Sequence, residues 1–335
     1  MFLVENVIRS ALRKSSEGPL NILVVGKSHE KYISRVCQTP NNFYLWGNDS
    51  SWKTEIEQKP ENLQIIDQNW PTSYFDLIIC NNRLEEYDAA ASLAQKFHLP
   101  ILLIDHCSRA SIKPFHFLSD ITVDFPQMLH KNPNAVISTS ENISLSWPGS
   151  KLRLVIPASV DTEKFCIPES RLGDPRFGNS LSDKRIVFDN DTEPHVGQTI
   201  FGSLQDRVYS VIPTDSDIQD KQSIYQQGDY FINPQNHVTV KMLEAMACGN
   251  IPICFAKADL VSFIEDGENG FVVANIADIN PLFEHLDNLP DSQRSRLSQN
   301  AREKVIKEQL TAEDFISKWQ SVFKYMKSQY YTAEV

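Results

Sequence analysis

The chain has 335 residues, enough for two domains of ordinary size, and 41% of them are apolar, which excludes a disordered polypeptide. Its net charge of −11 excludes a broad phosphate-binding surface for nucleic acid and leaves room only for a local basic cleft. The six cysteines (Cys37, Cys80, Cys107, Cys166, Cys248 and Cys254) form no C-x-x-C pair, so they read as reduced thiols of a cytoplasmic protein rather than a disulfide frame or a zinc site.

The first residues, Met1-Phe2-Leu3-Val4-Glu5, carry no basic region followed by a long apolar core, so no signal peptide is expected. No apolar run reaches the length of a membrane span. A short helix is predicted over 5–14, with Val7, Ile8 and Leu12 on one face, ended by Gly18. Residues 20–26 form a continuous apolar run closing on Gly26, as in a strand buried on both faces of a parallel sheet. Residues 75–80, 101–104 and 135–137 have the same character, and an alanine-rich helix over 87–97 makes the crossover between the first two. Residues 168–183, rich in Gly, Pro, Ser and Asp, read as a linker. A second alternation then sets strands at 186–188, 208–211, 230–232, 251–255 and 270–273, with a helix over 239–248 that stops at Gly249. The chain closes on a helix opened by Thr311 and Asp314, with Phe315, Ile316, Trp319, Val322, Phe323 and Met326 at helical spacing.

Two doubly wound α/β domains bind ligands at the carboxyl ends of their strands, where loops and helix N-termini converge. The segment 236–252 is the most informative, because a polar loop follows a strand and leads directly into a helix. The amides of its first turn, near Thr239 and Val240, favour an anion such as a diphosphate. Glu244 lies within the first two turns. As an acceptor-only carboxylate it suits the paired hydroxyls of a ribose. The competing reading makes it a solvated helix glutamate.

Residues Leu243-Glu244-Ala245-Met246-Ala247-Cys248-Gly249-Asn250-Ile251-Pro252-Ile253, followed by Phe263-Ile264-Glu265-Asp266-Gly267-Glu268-Asn269-Gly270-Phe271-Val272-Val273, resemble the donor-binding core of glycosyltransferase family four (glycosyl transferases group 1). Members read L-E-A-M-A-x-G-x-P-V and then E-x-I-x-D-G-x-N-G-x-L-V. Residues 155–165 are similar to the family's interdomain element, V-I-P-N-G-V-D-T-E-x-F, and residues 75–80 with 99–106 resemble its P-D-I-I-x-x-H and P-x-V-x-x-x-H segments. The landmarks keep the family's order over about residues 21–326.

The resemblance implies a GT-B fold: two Rossmann-like doubly wound parallel-sheet domains facing a cleft. Residues 1–165 would form the acceptor domain and 166–311 the donor domain, with a C-terminal helix at about 312–335 packing back on the first. It implies a retaining hexosyltransferase that takes a UDP- or GDP-sugar as co-substrate and a glycan or other hydroxyl acceptor, with no metal or other cofactor. Glu244, the second glutamate of the family's E-x7-E signature, would bind the donor ribose. Amides from Val238 through Lys241 would hold the diphosphate. His106 would lie near the donor sugar.

The sequence departs from the family pattern at three places. The first glutamate of E-x7-E is replaced by Asn236, whose amide can still bond a sugar hydroxyl. No Arg or Lys follows the first strand of the second domain until Arg207, so Arg207, Lys241 and Lys257 are the candidate phosphate cations. The Gly-rich loop after the first strand is reduced to Gly26-Lys27-Ser28-His29-Glu30, of which Gly26, Lys27 and His29 are candidate donor or acceptor contacts.

Other features are weighed against ordinary structural roles. His29 could be a surface-loop histidine and His106 a satisfied core histidine. His237 could cap the phosphate helix or be only a loop residue. His98, His116, His130, His195 and His285 show no metal spacing. Asp189-Asn190-Asp191 has the D-x-D form of a Mn²⁺ site, but such a short match is common and reads as a solvated loop. Residues 304–308 read as a solvated helix face. Trp46, Trp52, Trp70 and Trp147 suit sugar stacking, with packing the simpler use. Bacteriophage DNA α-glucosyltransferases share a similar L-E-x-x-A-C-G-x-I-P run, an alternative that the acidic charge opposes. A non-catalytic sugar- or nucleotide-binding member of the fold would account for Asn236 and the missing clamp. An epimerase on the same scaffold would need an acid/base carboxylate pair that the sequence does not display.

Overall fold

A computed structural model of the chain describes residues 18–26, 30–47, 52, 58–67, 75–106, 115–117, 121–123, 133–146, 152–168, 185–189, 199–200, 202, 204, 209–212, 218–235 and 237–331. The expectations for the helix at 5–14, for Lys27, His29, Cys107, Asn190, Asp191, Arg207 and Asn236, and for most of the linker fall outside the described residues. The chain divides into two units, one running to Pro157 and resuming at Phe315, the other spanning Ala158–Asp314.

The first unit begins with β1 (Asn21–Val25), α1 (Glu30–Val36), β2 (Asn42–Trp46), β3 (Leu63–Ile66), β4 (Leu77–Asn81), α2 (Leu84–Phe97) and β5 (Ile101–Asp105). A small antiparallel pair follows, β6 (Phe115–Phe117) with β7 (Ile121–Val123), and then β8 (Ala135–Ser138), α3 (Glu141–Ser146) and β9 (Leu152–Val155). Seven strands form one parallel sheet in the order β3-β2-β1-β4-β5-β8-β9. The strands at its centre are the apolar runs read from the sequence, and β4, β5 and β8 are buried along their whole length. The sequence reading missed β2, β3 and β9. Each carries a polar residue in a short run (Asn42, Gln64, Arg153), and β9 is only half-buried because it closes the sheet edge. Val155, assigned by resemblance to an interdomain element, is the last residue of β9.

The second unit contains β10 (Ile186–Asp189), β11 (Tyr209–Ile212), α4 (Ile218–Gln227), β12 (Tyr230–Asn233), α5 (Val240–Ala247), β13 (Ile251–Phe255), α6 (Ala258–Phe263) and β14 (Phe271–Val273). A 3-10 turn at Ile276–Asp278 leads into α7 (Ile279–Asp287) and α8 (Asp291–Lys307). Its sheet is also parallel, in the order β11-β10-β12-β13-β14. The last helix, α9 (Ala312–Tyr331), belongs to the first unit from Phe315 onward. Its apolar stripe, Phe315, Trp319, Val322, Phe323 and Met326, shares a core with Ile22, Val24 and Phe43 beneath the first sheet. Thr311 opens this helix by donating to Asp314 Oδ2 at 2.7 Å and accepting from the Asp314 amide at 3.3 Å.

In helix α5 every residue from Lys241 to Ala247 is buried. Its C-terminus is a Schellman turn, with Gly249 N–H bonded to Met246 C=O at 2.9 Å and Asn250 N–H to Ala245 C=O at 2.9 Å. Gly249 takes φ +83° there, a conformation that disfavours any side chain. The Asn250 side chain donates to Tyr225 C=O at 2.7 Å and Ala245 C=O at 3.1 Å, which ties the ends of α4 and α5 together. Arg302 from α8 donates to the carbonyls of Ala247, Phe165 at 3.1 Å and Thr162 at 3.2 Å, where a cation also suits the negative end of the helix. The residues Asp266-Gly267-Glu268-Asn269-Gly270 are turn-forming: Asp266 Oδ1 accepts from Val272 N–H at 2.8 Å and Asn269 Oδ1 from Glu265 N–H at 3.0 Å. The 304–308 patch is partly tied down, because Lys304 pairs with Glu265 at 3.2 Å and Glu308 at 3.1 Å while Val305 is buried.

Candidate functional site

In an open parallel sheet, ligands lie at the carboxyl ends of the strands where the winding direction reverses. In the second sheet that point falls between β10 and β12, and the segment leaving β12 leads to α5. Asn233, fully buried at the end of β12, organises this segment: its Nδ2 donates to His237 C=O at 3.0 Å and its Oδ1 accepts from Gln235 N–H at 3.3 Å. Thr239 is the N-cap, its hydroxyl accepting from the Met242 amide at 3.1 Å. The first bond within the helix runs from Leu243 N–H to Thr239 C=O at 3.1 Å. The amides of Val240 and Lys241 therefore point out along the axis at the positive end of the helix dipole. Val238 packs against the core, so any ligand contact from it is through its backbone.

Glu244 follows one turn later, and it is not a solvated helix glutamate: only 6% of it is exposed. One of its carboxylate oxygens accepts from Tyr225 Oη on α4 at 3.4 Å. Lys241 is also buried, on the first turn. Lys221, on the same face of α4 as Tyr225 and one turn before it, is only 4% exposed. Tyr225 brings α4 alongside α5 at Glu244. Tyr225 and Lys221 went unnoticed in the sequence, because α4 carries no motif and its hydrophobic periodicity is weak. Lys257, another candidate cation, is an exposed residue at the start of α6.

The first sheet reverses between β1 and β4. Gly26 closes β1 with φ +151°. A Cβ built on it would overlap Glu86 Oε2 and lie 2.9 Å from Asn81 Nδ2. Asn81, the buried last residue of β4, donates from Nδ2 to Glu86 Oε2 on α2 at 2.8 Å. Its Oδ1 lies 3.1 Å from Nε2 of His106, which follows β5. The His106 ring meets Tyr32 edge-to-face at 5.1 Å, and Tyr32 Oη donates to Ile156 C=O at 2.9 Å. Gly26 and His106, picked out separately in the sequence, thus belong to one cluster through Asn81 and Glu86, which the sequence did not flag. Asp105, beside His106, is buried and ion-paired with Arg153 at 3.8 Å. Desolvation is the larger influence on the Arg153 guanidinium and lowers its pKa, while Asp105 acts in the opposite sense.

The architecture of both sheets agrees with known proteins. Residues 191–290 match the family model for glycosyl transferases group 1. The Anabaena protein HepE, solved in complex with UDP-glucose, superposes with a TM-score of 0.67 at 14% identity, over 91% of this chain and 100% of that one. The chain has the GT-B glycosyltransferase fold. Sucrose-phosphate synthase from Thermosynechococcus elongatus, a second GT-B neighbour, superposes at 0.69 with 12% identity, over 93% of this chain and 100% of that one. The lipopolysaccharide outer core galactosyltransferase WaaB gives 0.62 at 13% identity, over 91% and 100%. No curated protein matches the sequence. Within this GT-B chain the family match covers β12, α5, β13 and β14, the elements that carry Thr239, Lys241 and Glu244. No described helix is long and apolar enough to cross a membrane.

Proposed function

We propose that the chain transfers a hexose from a UDP- or GDP-sugar to a hydroxyl of a glycan or other acceptor, with retention of configuration and without a metal cofactor. The observation that carries this reading is the placement of Glu244: a buried carboxylate one helical turn, about 6 Å, beyond two outward-facing amides. That step suits a nucleotide whose ribose hydroxyls donate to the carboxylate while its diphosphate accepts from the helix N-terminus. The UDP-glucose complex of HepE supports the same class of donor. Val238, Thr239, Val240 and Lys241 would hold the diphosphate, with Lys221 and Lys241 supplying the positive charge that the family draws from elsewhere. Charge on the departing diphosphate would then be stabilised by amides and ammonium groups. Asn236 would bond a sugar hydroxyl. In the first unit, Gly26, Lys27, His29 and His106 are assigned to substrate contacts. Retention rests on the family resemblance. The buried thiols of Cys37, Cys80, Cys248 and Cys254 suit a cytoplasmic location.

The test is calorimetric titration of UDP-, GDP-, ADP- and CDP-sugars with and without EDTA, followed by assay of sugar release from whichever binds. One nucleotide class should bind, and binding should survive EDTA. Failure of every donor to bind would overturn the reading, and binding lost on chelation would remove its metal-independence.

A further inference from the structure

The hydrogen bonds around Asn81 determine more than its own position. A carboxylate accepts hydrogen bonds and donates none, so the group facing Glu86 Oε2 at 2.8 Å must be the Asn81 amide NH₂. The carbonyl oxygen of the same amide is thereby turned toward His106 Nε2 at 3.1 Å. A carbonyl oxygen has no proton to give, so Nε2 must carry one. The proton position on one imidazole nitrogen is fixed by the hydrogen bond it makes, and the other nitrogen takes the complementary role. In the neutral ring that leaves the lone pair on Nδ1.

We propose that Glu86 and Asn81 are positioning residues that lock His106 as the Nε2–H tautomer, which makes Nδ1 the acceptor nitrogen of the neutral ring. The tautomer follows from the bonding alone, and any use of Nδ1 toward a hydroxyl rests on the glycosyl-transfer reading above. Three elements contribute. Strand β4 ends in the amide, α2 brings the carboxylate in its first turn, and β5 delivers the imidazole. Gly26 completes the arrangement, since a methyl group there would occupy the space of the Glu86 carboxylate and crowd the Asn81 amide. Tyr32 meets the ring edge-to-face and gives its hydroxyl proton to Ile156 C=O rather than to the imidazole. The signal in the sequence is Asn81 as the last residue of a buried strand with an acidic residue five positions later, a pattern too short to be noticed without the third member.

Two-bond ¹H–¹⁵N correlation spectra of the full chain labelled with ¹⁵N-histidine, recorded where the imidazoles are neutral, report the tautomer directly. The His106 signals are identified by their loss in His106→Gln. The wild type should show a single Nε2–H form. Glu86→Gln retains the shape of the carboxylate but can face Asn81 with either end of its amide. Asn81 can then turn over, and the spectrum should move toward a mixture of tautomers. Gly26→Ala should do the same, and Asn81→Leu should remove the lock altogether. Tyr32→Phe should leave the tautomer unchanged. A wild type that is mixed or Nδ1–H, or a Glu86→Gln variant identical to it, would overturn the proposal. The rate of donor hydrolysis is read on the same variants, with a loss of about 10–100-fold expected in Glu86→Gln, as for partners that orient other functional histidines. A tautomer that shifts without any loss of rate would sustain the lock and remove His106 from the transfer reading, so the two failures are distinguishable.

Discussion

Replacing Glu244 separates a binding residue from a structural one, because the two roles predict opposite signs for stability and affinity. The carboxylate is buried, and its bond from Tyr225 Oη, at 3.4 Å, is long and weak. Truncation to alanine gives up that bond and removes a desolvated carboxylate, whose burial opposes folding. A nucleotide, by contrast, would lose two hydrogen bonds from its ribose hydroxyls to a charged acceptor, each contributing about 1.5–3 kcal/mol. Even at the lower end the sum is about 3 kcal/mol, or roughly a hundredfold in Kd. Glu244→Gln keeps one acceptor oxygen and should lose roughly tenfold. Both are measured by calorimetric titration with the donor that binds the wild type, alongside thermal melts of the free variants. Glu244→Ala should melt within a few degrees of the wild type while its Kd rises roughly a hundredfold. A folded Glu244→Ala protein whose Kd stays within about threefold of the wild type, less than 1 kcal/mol, would refute the ribose assignment.

Other outcomes follow from the packing. Trp319 is fully buried and its ring meets those of Tyr32, Phe315 and Phe323, so Trp319→Ala should destabilise the first unit by about 3–5 kcal/mol in urea unfolding. A loss under about 1 kcal/mol would mean that α9 is not part of that core. Gly249→Ala forces a side chain into φ +83° and sets a Cβ 2.7 Å from Ser298 Oγ, so it should cost more than about 1 kcal/mol and loosen the C-terminus of α5, read by amide exchange at Gly249 and Asn250. Among the described cysteines, iodoacetamide followed by peptide mapping should label Cys166 first, because it alone is partly exposed. Burial pushes the Cys254 thiol up to about 12 and raises those of Cys37 and Cys80 further, so these three stay protonated and should react only on unfolding.

The central strands of both sheets were legible because a strand buried on two faces is apolar over most of its length, as residues 22–25, 77–80, 101–104, 135–137 and 251–255 are. Edge strands escape that rule. Gln64 and Arg153 interrupt the short runs of β3 and β9 at the two edges of the sheet, whereas β2 carries an apolar run over 43–46 that the sequence reading passed over. The α5 site was legible in its caps: Thr239 before the apolar run and Gly249 after it mark the helix on chemistry that is local in the chain. Glu244 was found by motif, but its environment was not, since whether a helix glutamate faces water depends on what packs over it. Here that is α4, nineteen residues earlier, with Tyr225 against the carboxylate.

The sequence by itself determined the alternation of strand and helix, the two parallel sheets, the helix that presents its amides, and the apolar stripe of the last helix. All of these are periodicities and end signals written into neighbouring residues. Only the tertiary structure decided which side chains meet. Asn81, Glu86, Gly26 and His106 come from three strand ends and a helix, and Tyr225 reaches Glu244 on α5 from another element. A parallel sheet brings strand ends that are far apart in the chain to one edge, in an order set by crossovers that no local pattern encodes.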